Sequence, residues 1–354
     1  MRSIQKANIA AVGTFLTCAF MATTSVHANT FCADTPTALR QALAAASDDG
    51  VNNHENNTIK IVRGTYATEG AEFYFNSTDP HTLDINGGYN QDCTTLIENP
   101  ALTILDGSSA SRAFESESTQ GDVSLRFLTF QNGFAPDNAL GGGLLMNEST
   151  ADAGPVIVDQ NIFRNNHAIF EGGGFVIITN GTGTIQFENN LVVGNSADYE
   201  YGGGALADNG GAGATIINNT ITQNTVTNLP LSNIGGLYIR SADALKDTMS
   251  NSIVYGNTGY DLQAVAVLVA NDCGANVDMA NFSSVDNVVV DPKFVGAGDY
   301  HLSGDSPLLG LGDLTPVGGL PSIDIVGLPR QFNGLVDMGA YEHGNEIFKD
   351  GFNN

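Results

Sequence analysis

The chain has 354 residues, 42% of them hydrophobic and 14% charged, with 42 glycines, 11 prolines and no tryptophan. Thirteen basic residues against 38 acidic ones leave a net charge of −25, a field that excludes nucleic acid and anionic lipid as partners and favours cation binding or solubility. So much glycine without a collagen or low-complexity period suits an all-β chain with many tight turns.

Residues 1–28 read as a secretory signal. Arg2 and Lys6 make a basic start, Ile9 to Met21 an apolar stretch, and Val26-His27-Ala28 a small-residue cleavage site. The apolar stretch is shorter than the roughly 20 residues that span a membrane, so cleavage near Ala28 is expected and no transmembrane segment in the mature chain. The protein is then secreted or held at the cell surface. Three cysteines remain, Cys32, Cys93 and Cys273. In an oxidising compartment Cys32 and Cys93 are the expected pair, since both lie in the N-terminal segment, and Cys273 is left buried and inert.

Residues 29–57 are expected to form an N-terminal cap. Thr35 is placed as N-cap and Pro36 as the first helical residue. Ala38, Leu39, Ala42, Leu43 and Ala46 then line one face before Asp48-Asp49-Gly50 ends the helix. Short strands follow, each alternating in polarity and stopped by a turn residue: Thr58 to Val62, Leu83 to Ile85, Leu102 to Leu105 and Val123 to Phe130.

From about Phe127 to Asn257 one phrase recurs. Its first half is an apolar residue, two variable residues and an asparagine, ending at Asn166, Asn195, Asn224 and Asn257, with a weaker copy ending at Asn132. Its second half is a glycine cluster: Gly141 to Gly143, Gly172 to Gly174, Gly202 to Gly204, and Gly235-Gly236. A fixed period near 30 residues means stacked repeats rather than one globular core. In a parallel solenoid, coils stack at about 4.8 Å and equivalent residues form ladders. The asparagines are expected to turn the chain in the left-handed conformation while hydrogen-bonding the next coil. The glycines supply positive φ at the opposite corner.

The fold class that follows is all-β: a right-handed parallel β-helix over 58–290, with a short helical cap before it and a C-terminal capping module over 291–343. The alternation of [FVI]-x-x-N with GG[GA]-apolar resembles secreted proteins of the pectate-lyase-like superfamily, and is similar to the repeats of chlamydial polymorphic outer-membrane proteins. Asp291-Pro292-Lys293-Phe294, Asp299-Tyr300-His301-Leu302, Gly327-Leu328-Pro329-Arg330 and Val336 to Glu342 resemble the closing module of choice-of-anchor β-helix proteins. Residues 344–354 are similar to a tail of some exported proteobacterial proteins, which implies sorting or anchoring.

The resemblance implies fold and export, not activity. The acid pairs and basic triplet of polygalacturonases have no match here, nor has the arginine pattern of pectate lyases. The histidines show no ligand spacing, and no calcium loop is complete. No cofactor is expected, with calcium left open as a bridge to an acidic polymer. What remains are the segments between each asparagine and the next glycines, which differ in length and so project from one edge. Stacking is expected to gather Phe134 and Asp137, Phe170 and Glu171, and Asp198, Tyr199, Glu200 and Tyr201, with Tyr260 and Asp261 joining from the next coil. Aromatic rings beside carboxylates suit a polysaccharide or cell-surface glycan as partner. The plainer reading has the rings cover the core and the acids keep the protein soluble. The expected function is a structural, adhesive or glycan-binding module; the alternative is a polysaccharide lyase or glycoside hydrolase working through the acidic loops.

Overall fold

In the computed structural model the described residues are 28–343, apart from 118–119, 149, 229–233, 244–245, 266, 271–272, 275–276, 279–282 and 286. Nearly all of the signal segment and the tail 344–354 lie outside them, and so does the side chain of Cys273.

The chain winds through about 8 turns of a right-handed parallel β-helix. A representative coil passes through Val156–Asp159 in a first sheet, Ile162–Arg164 in a second, His167–Ala168 in a small corner sheet and Phe175–Thr179 in a third. It then re-enters the first sheet at Ile185–Glu188, paired in parallel with Val156–Asp159. The first sheet has ten strands, the second and third eight each, and the corner sheet four. Alternate residues point inward and stack coil on coil. Phe130 lies 4.9 Å from Phe163 with the rings nearly parallel, and Phe175 lies 4.7 Å from Phe187. Each is essentially inaccessible, and fully burying such a ring stabilises by about 2–3 kcal/mol.

The helix forms at Pro36–Ala46, where Thr35 Oγ1 accepts the Ala38 N–H at 3.2 Å. Its buried face is Leu39, Ala42, Leu43 and Ala46. A strand comes before it: Ala28–Ala33 pairs in parallel with Asn56–Val62 as the edge of the first sheet. Cys32 on that strand is bonded to Cys93, 61 residues away.

Register alters the reading of the repeat in three ways. First, the left-handed residue is not the ladder asparagine but the one before it: Asn165, Gly194, Gln223 and Gly256, with φ of 55°, 64°, 56° and 74°. The ladder asparagine has another task. Asn195 Oδ1 accepts the backbone N–H of Asn166 at 3.0 Å and its side-chain amide at 2.9 Å, and Asn224 does the same for Asn195. Second, Asn132, itself at φ 50°, stacks on Asn165 and is no rung; Gly133 takes the rung position, and its N–H is accepted by Asn166 Oδ1 at 2.8 Å. Third, the glycine clusters are offset. Phe175 pairs with Gly204, so Gly141 and Gly172 are matched by Tyr201, and Gly204 vacates the core in front of the Phe175 ring.

A second ladder stands one strand earlier. Asn161, Asn190 and Asn219 are linked by N–H to Oδ1 bonds of 2.9 Å, and Ser252 Oγ takes the place of the amide at the end. Here too the left-handed residue precedes the rung, at Gln160, Asn189, Asn218 and Asn251.

Residues 291–343 contain one antiparallel hairpin, Phe294–Gly296 with Asp299–Leu302. They dock along the flank of the coils. Ile325 and Ala340 pack on Ile162, Leu191 and Val193, while Leu302, Leu308 and Met338 pack on Ile253. Arg330, fully buried, donates to the carbonyls of Gly339 and Ala340 at 3.0 and 2.8 Å and to Asn189 Oδ1 at 2.5 Å.

Candidate functional site

After each ladder asparagine the chain does not leave the body of the solenoid at once. Phe134, His167, Ser196 and Thr225 occupy one register of the corner sheet, and Ala135, Ala168, Ala197 and Val226 fill the core behind them. Phe134 is therefore part of a strand. Its ring stacks on His167 at 5.8 Å. His167 Nδ1 lies 2.9 Å from Ser196 Oγ, and its Nε2 lies 3.9 Å from Asp198 Oδ2. Asp198 in turn accepts from Thr227 Oγ1 at 2.7 Å.

Beyond this row the loops project, and two further rows form. Phe170 and Tyr199, each about 40% exposed, stand 6.1 Å apart. Leu140, Glu171 and Glu200 are consecutive rungs of an isolated bridge ladder, so the two glutamates are stacked one coil apart. Burial and then the neighbouring Glu200 push the Glu171 carboxyl above the usual range. Burial and a like charge both disfavour the ionised form of a carboxyl.

Tyr201 closes the row. Its φ of 57° puts a bulky side chain where the two preceding coils carry glycine, a conformation that costs on the order of 1 kcal/mol or more. The ring gains a place in return. It stacks on Tyr238 at 4.4 Å, nearly parallel, over a patch of Leu145, Val176 and Ala205 on the outer face of the third sheet. Burial, then the charge of Glu200, pushes the Tyr201 hydroxyl far up. It is a neutral donor at any physiological pH.

Two expected members are elsewhere. Asp137 is exposed on the loop 136–140, which is longer than its counterpart in the next coil, and joins none of these contacts. Asp261 is buried and ends the asparagine ladder, accepting the Asn257 backbone N–H at 2.8 Å and its side-chain amide at 2.9 Å. It is scaffold, while Tyr260 beside it is exposed. The loops carry no basic residue of their own, but Arg112 reaches the corner from the preceding coil, donating to the carbonyls of Leu140 and Gly141 at 2.9 Å and pairing with Glu115. Burial pushes the Glu115 carboxyl up to about 7 despite that arginine. His167, Ser196 and Tyr238 were not singled out in the sequence. The first two had a signal, since each directly follows a ladder asparagine; Tyr238 lies on a strand of the next coil and had none.

Among the described residues no group of three or more histidines, cysteines or acids is placed to hold a metal ion. No helix among them is long and apolar enough to cross a membrane. No family model, curated protein or solved structure matches the chain. The chemistry of the corner is read from its own side chains: exposed rings flanked by stacked carboxylates, a combination that packs on sugar faces and accepts from sugar hydroxyls.

Proposed function

We propose that the chain is an exported β-helix protein of the pectate-lyase-like type with a choice-of-anchor closing module, acting outside the cell or at its surface as a structural or adhesive module that binds glycan along the corner. The observation that carries this reading is the exposed Phe170–Tyr199 pair set beside the stacked Glu171 and Glu200. The Cys32–Cys93 disulfide fits an oxidising compartment. With a net charge of −25, neutral or amino-substituted polymers are favoured over polyuronates. The test is titration with a panel of neutral and acidic oligosaccharides. Saturable binding is expected, weakened at least about tenfold, the equivalent of roughly 1.4 kcal/mol, in Tyr199→Ala and Glu200→Gln, with melting temperature unchanged. A panel that yields no saturable binder rejects the reading.

The raised Glu171 carboxyl beside Glu200 favours a second reading, acid–base cleavage of a glycosidic bond. New reducing ends that vanish in Glu171→Gln support it. Unsaturated products that appear only with calcium point to a lyase instead.

A further inference from the structure

A separate open cleft lies on the outer face of the first sheet, bordered at Gly318 by the C-terminal segment. Its volume is about 480 Å³, within the range of roughly 300–1,000 Å³ that holds small ligands. Thr184, Gln186 and Glu188 form the floor with Thr215 of the next coil, while Lys246 and Gly318 stand at the walls. Gly318, at φ 97°, is required there: a Cβ would meet Thr215 Cγ2 at 2.4 Å. The C-terminal segment thus approaches the sheet as closely as a backbone without a side chain allows.

The wall and floor are polar, and one member is out of balance. Glu188 is only 6% exposed, yet among the described residues it has no basic nitrogen within ion-pair distance. Lys246 is turned away, its Nζ donating to the Gly211 carbonyl at 2.8 Å and lying 3.7 Å from Asp243. Arg126 is turned to Asp159, with its Nε 3.5 Å from Oδ2. Burial pushes the Glu188 carboxyl up to about 7, with Gln186 hydrogen-bonded to it, Asp159 raising it further and Arg126 opposing. A buried carboxyl of this kind gains most from a ligand that brings the missing positive charge. The hydroxyls of Thr184 and Thr215 and the amide of Gln186 then suit a hydroxylated body attached to that charge.

We propose that this cavity binds a free-amine sugar, a 2-amino-2-deoxyhexose unit, whose ammonium pairs with Glu188 while its hydroxyls meet Thr184, Gln186 and Thr215. The site is independent of the glycan corner. Calorimetric titration of the full chain with glucosamine, glucose and N-acetylglucosamine tests it. Glucosamine should bind saturably, and the other two at least about tenfold more weakly, since neither carries the charge. Near pH 6 ionising Glu188 releases a proton on binding, whereas near pH 8 Glu188 is already ionised and the partly neutral sugar amine takes one up, so the buffer dependence of the heat should reverse sign between the two. Glu188→Gln keeps the volume and should fold. It should lose both the tenfold preference and the proton release near pH 6, whereas Glu200→Gln at the corner should change neither. Thr215→Leu, which fills the floor, should abolish binding with Glu188 intact. The proposal is overturned if glucosamine fails to saturate at tens of millimolar, or if Glu188→Gln binds it as well as the parent. Lysine methyl ester binding as tightly as glucosamine overturns the sugar specificity.

Discussion

At the residue scale, two neighbours divide the work at the corners that follow the second sheet in the central coils. Asn165 turns the chain and is exposed; Asn166 faces inward, accepting the Gly133 N–H and donating to the Phe130 carbonyl at 3.0 Å and to Asn195 Oδ1. The same substitution should therefore have opposite weight at adjacent positions. Asn165→Gly copies the residue found in the next coil, Gly194, and should shift stability by less than about 0.5 kcal/mol. Asn166→Gly leaves a buried N–H and a buried carbonyl unpaired and should cost about 3 kcal/mol or more. Chemical denaturation of the two variants checks the pair, and equal losses would contradict the division. The ladder was legible in the sequence because its asparagines sit at fixed period. Asn166, Asn195 and Asn224 are the rungs that this period points to, but which neighbour takes the left-handed turn was not legible, nor that Asn132 is no rung, since only strand register separates these positions. The second ladder at Asn161, Asn190 and Asn219 was equally periodic and passed unread, because its neighbours lack the glycine clusters that drew attention to the first.

At the scale of elements, strands and the helix follow local signals, and the C-terminal segment does not. Thr35-Pro36 specified the helix start to the residue. The docking of residues 291–343, by contrast, rests on contacts across as many as 164 positions of sequence, such as Gln160 Nε2 to the Asp324 carbonyl at 2.7 Å and Asn218 Nδ2 to the Asp337 carbonyl at 3.2 Å. No periodicity announces such pairings. They use the side chains of left-handed turn residues, Gln160, Asn189, Asn218 and Asn251, as a row of hooks along the flank. Arg330 is the pin. Besides its three hydrogen bonds it offsets the charges of Asp324, Glu342, Asp337 and Asp159. Replacing it by Met removes one partner from a buried charge cluster and should cost about 3–5 kcal/mol. The loss should be seen as faster proteolysis within 291–343 while the β-type circular dichroism of the coils persists. A variant as protease-resistant as the parent would remove Arg330 from that role.

At the scale of the whole molecule, acids outnumber bases nearly three to one, and several are buried, Glu342 beside Arg330 and others with no ion pair among the described residues. Burial pushes Glu188 and Asp247 up to about 7, and Glu342 up to about 8. Asp247 shares its surroundings with Asp208, whose carboxylate is held by the N–H groups of Gly211 and Gly213 at 2.8 and 2.9 Å. Burial first, and then Asp208, hold the Asp247 carboxyl up. Such groups keep protons in the folded chain that the unfolded chain releases above about pH 4, so the stability they lend is complete below that pH and is lost as pH rises through their folded values. The groups shifted the other way, Asp79 and Asp299 beside histidines and Asp305 bonded to Ser303 and Lys293, contribute stability that is lost only as pH falls below about 4. Mutual repulsion of the remaining carboxylates adds to the decline at neutral pH. The melting temperature should be highest near about pH 4–5, fall through pH 7 and level off above about pH 8. Asp247→Asn keeps the acceptor for the Ala214 N–H, now bonded at 3.0 Å, and offers its amide to Asp208. It should raise the melting temperature at pH 8, leave it unchanged near pH 4 and flatten the slope between. A parent protein as stable at pH 8 as at pH 5 would show that these acids are paired in solution. A slope unaltered by Asp247→Asn would move its origin to the surface charge.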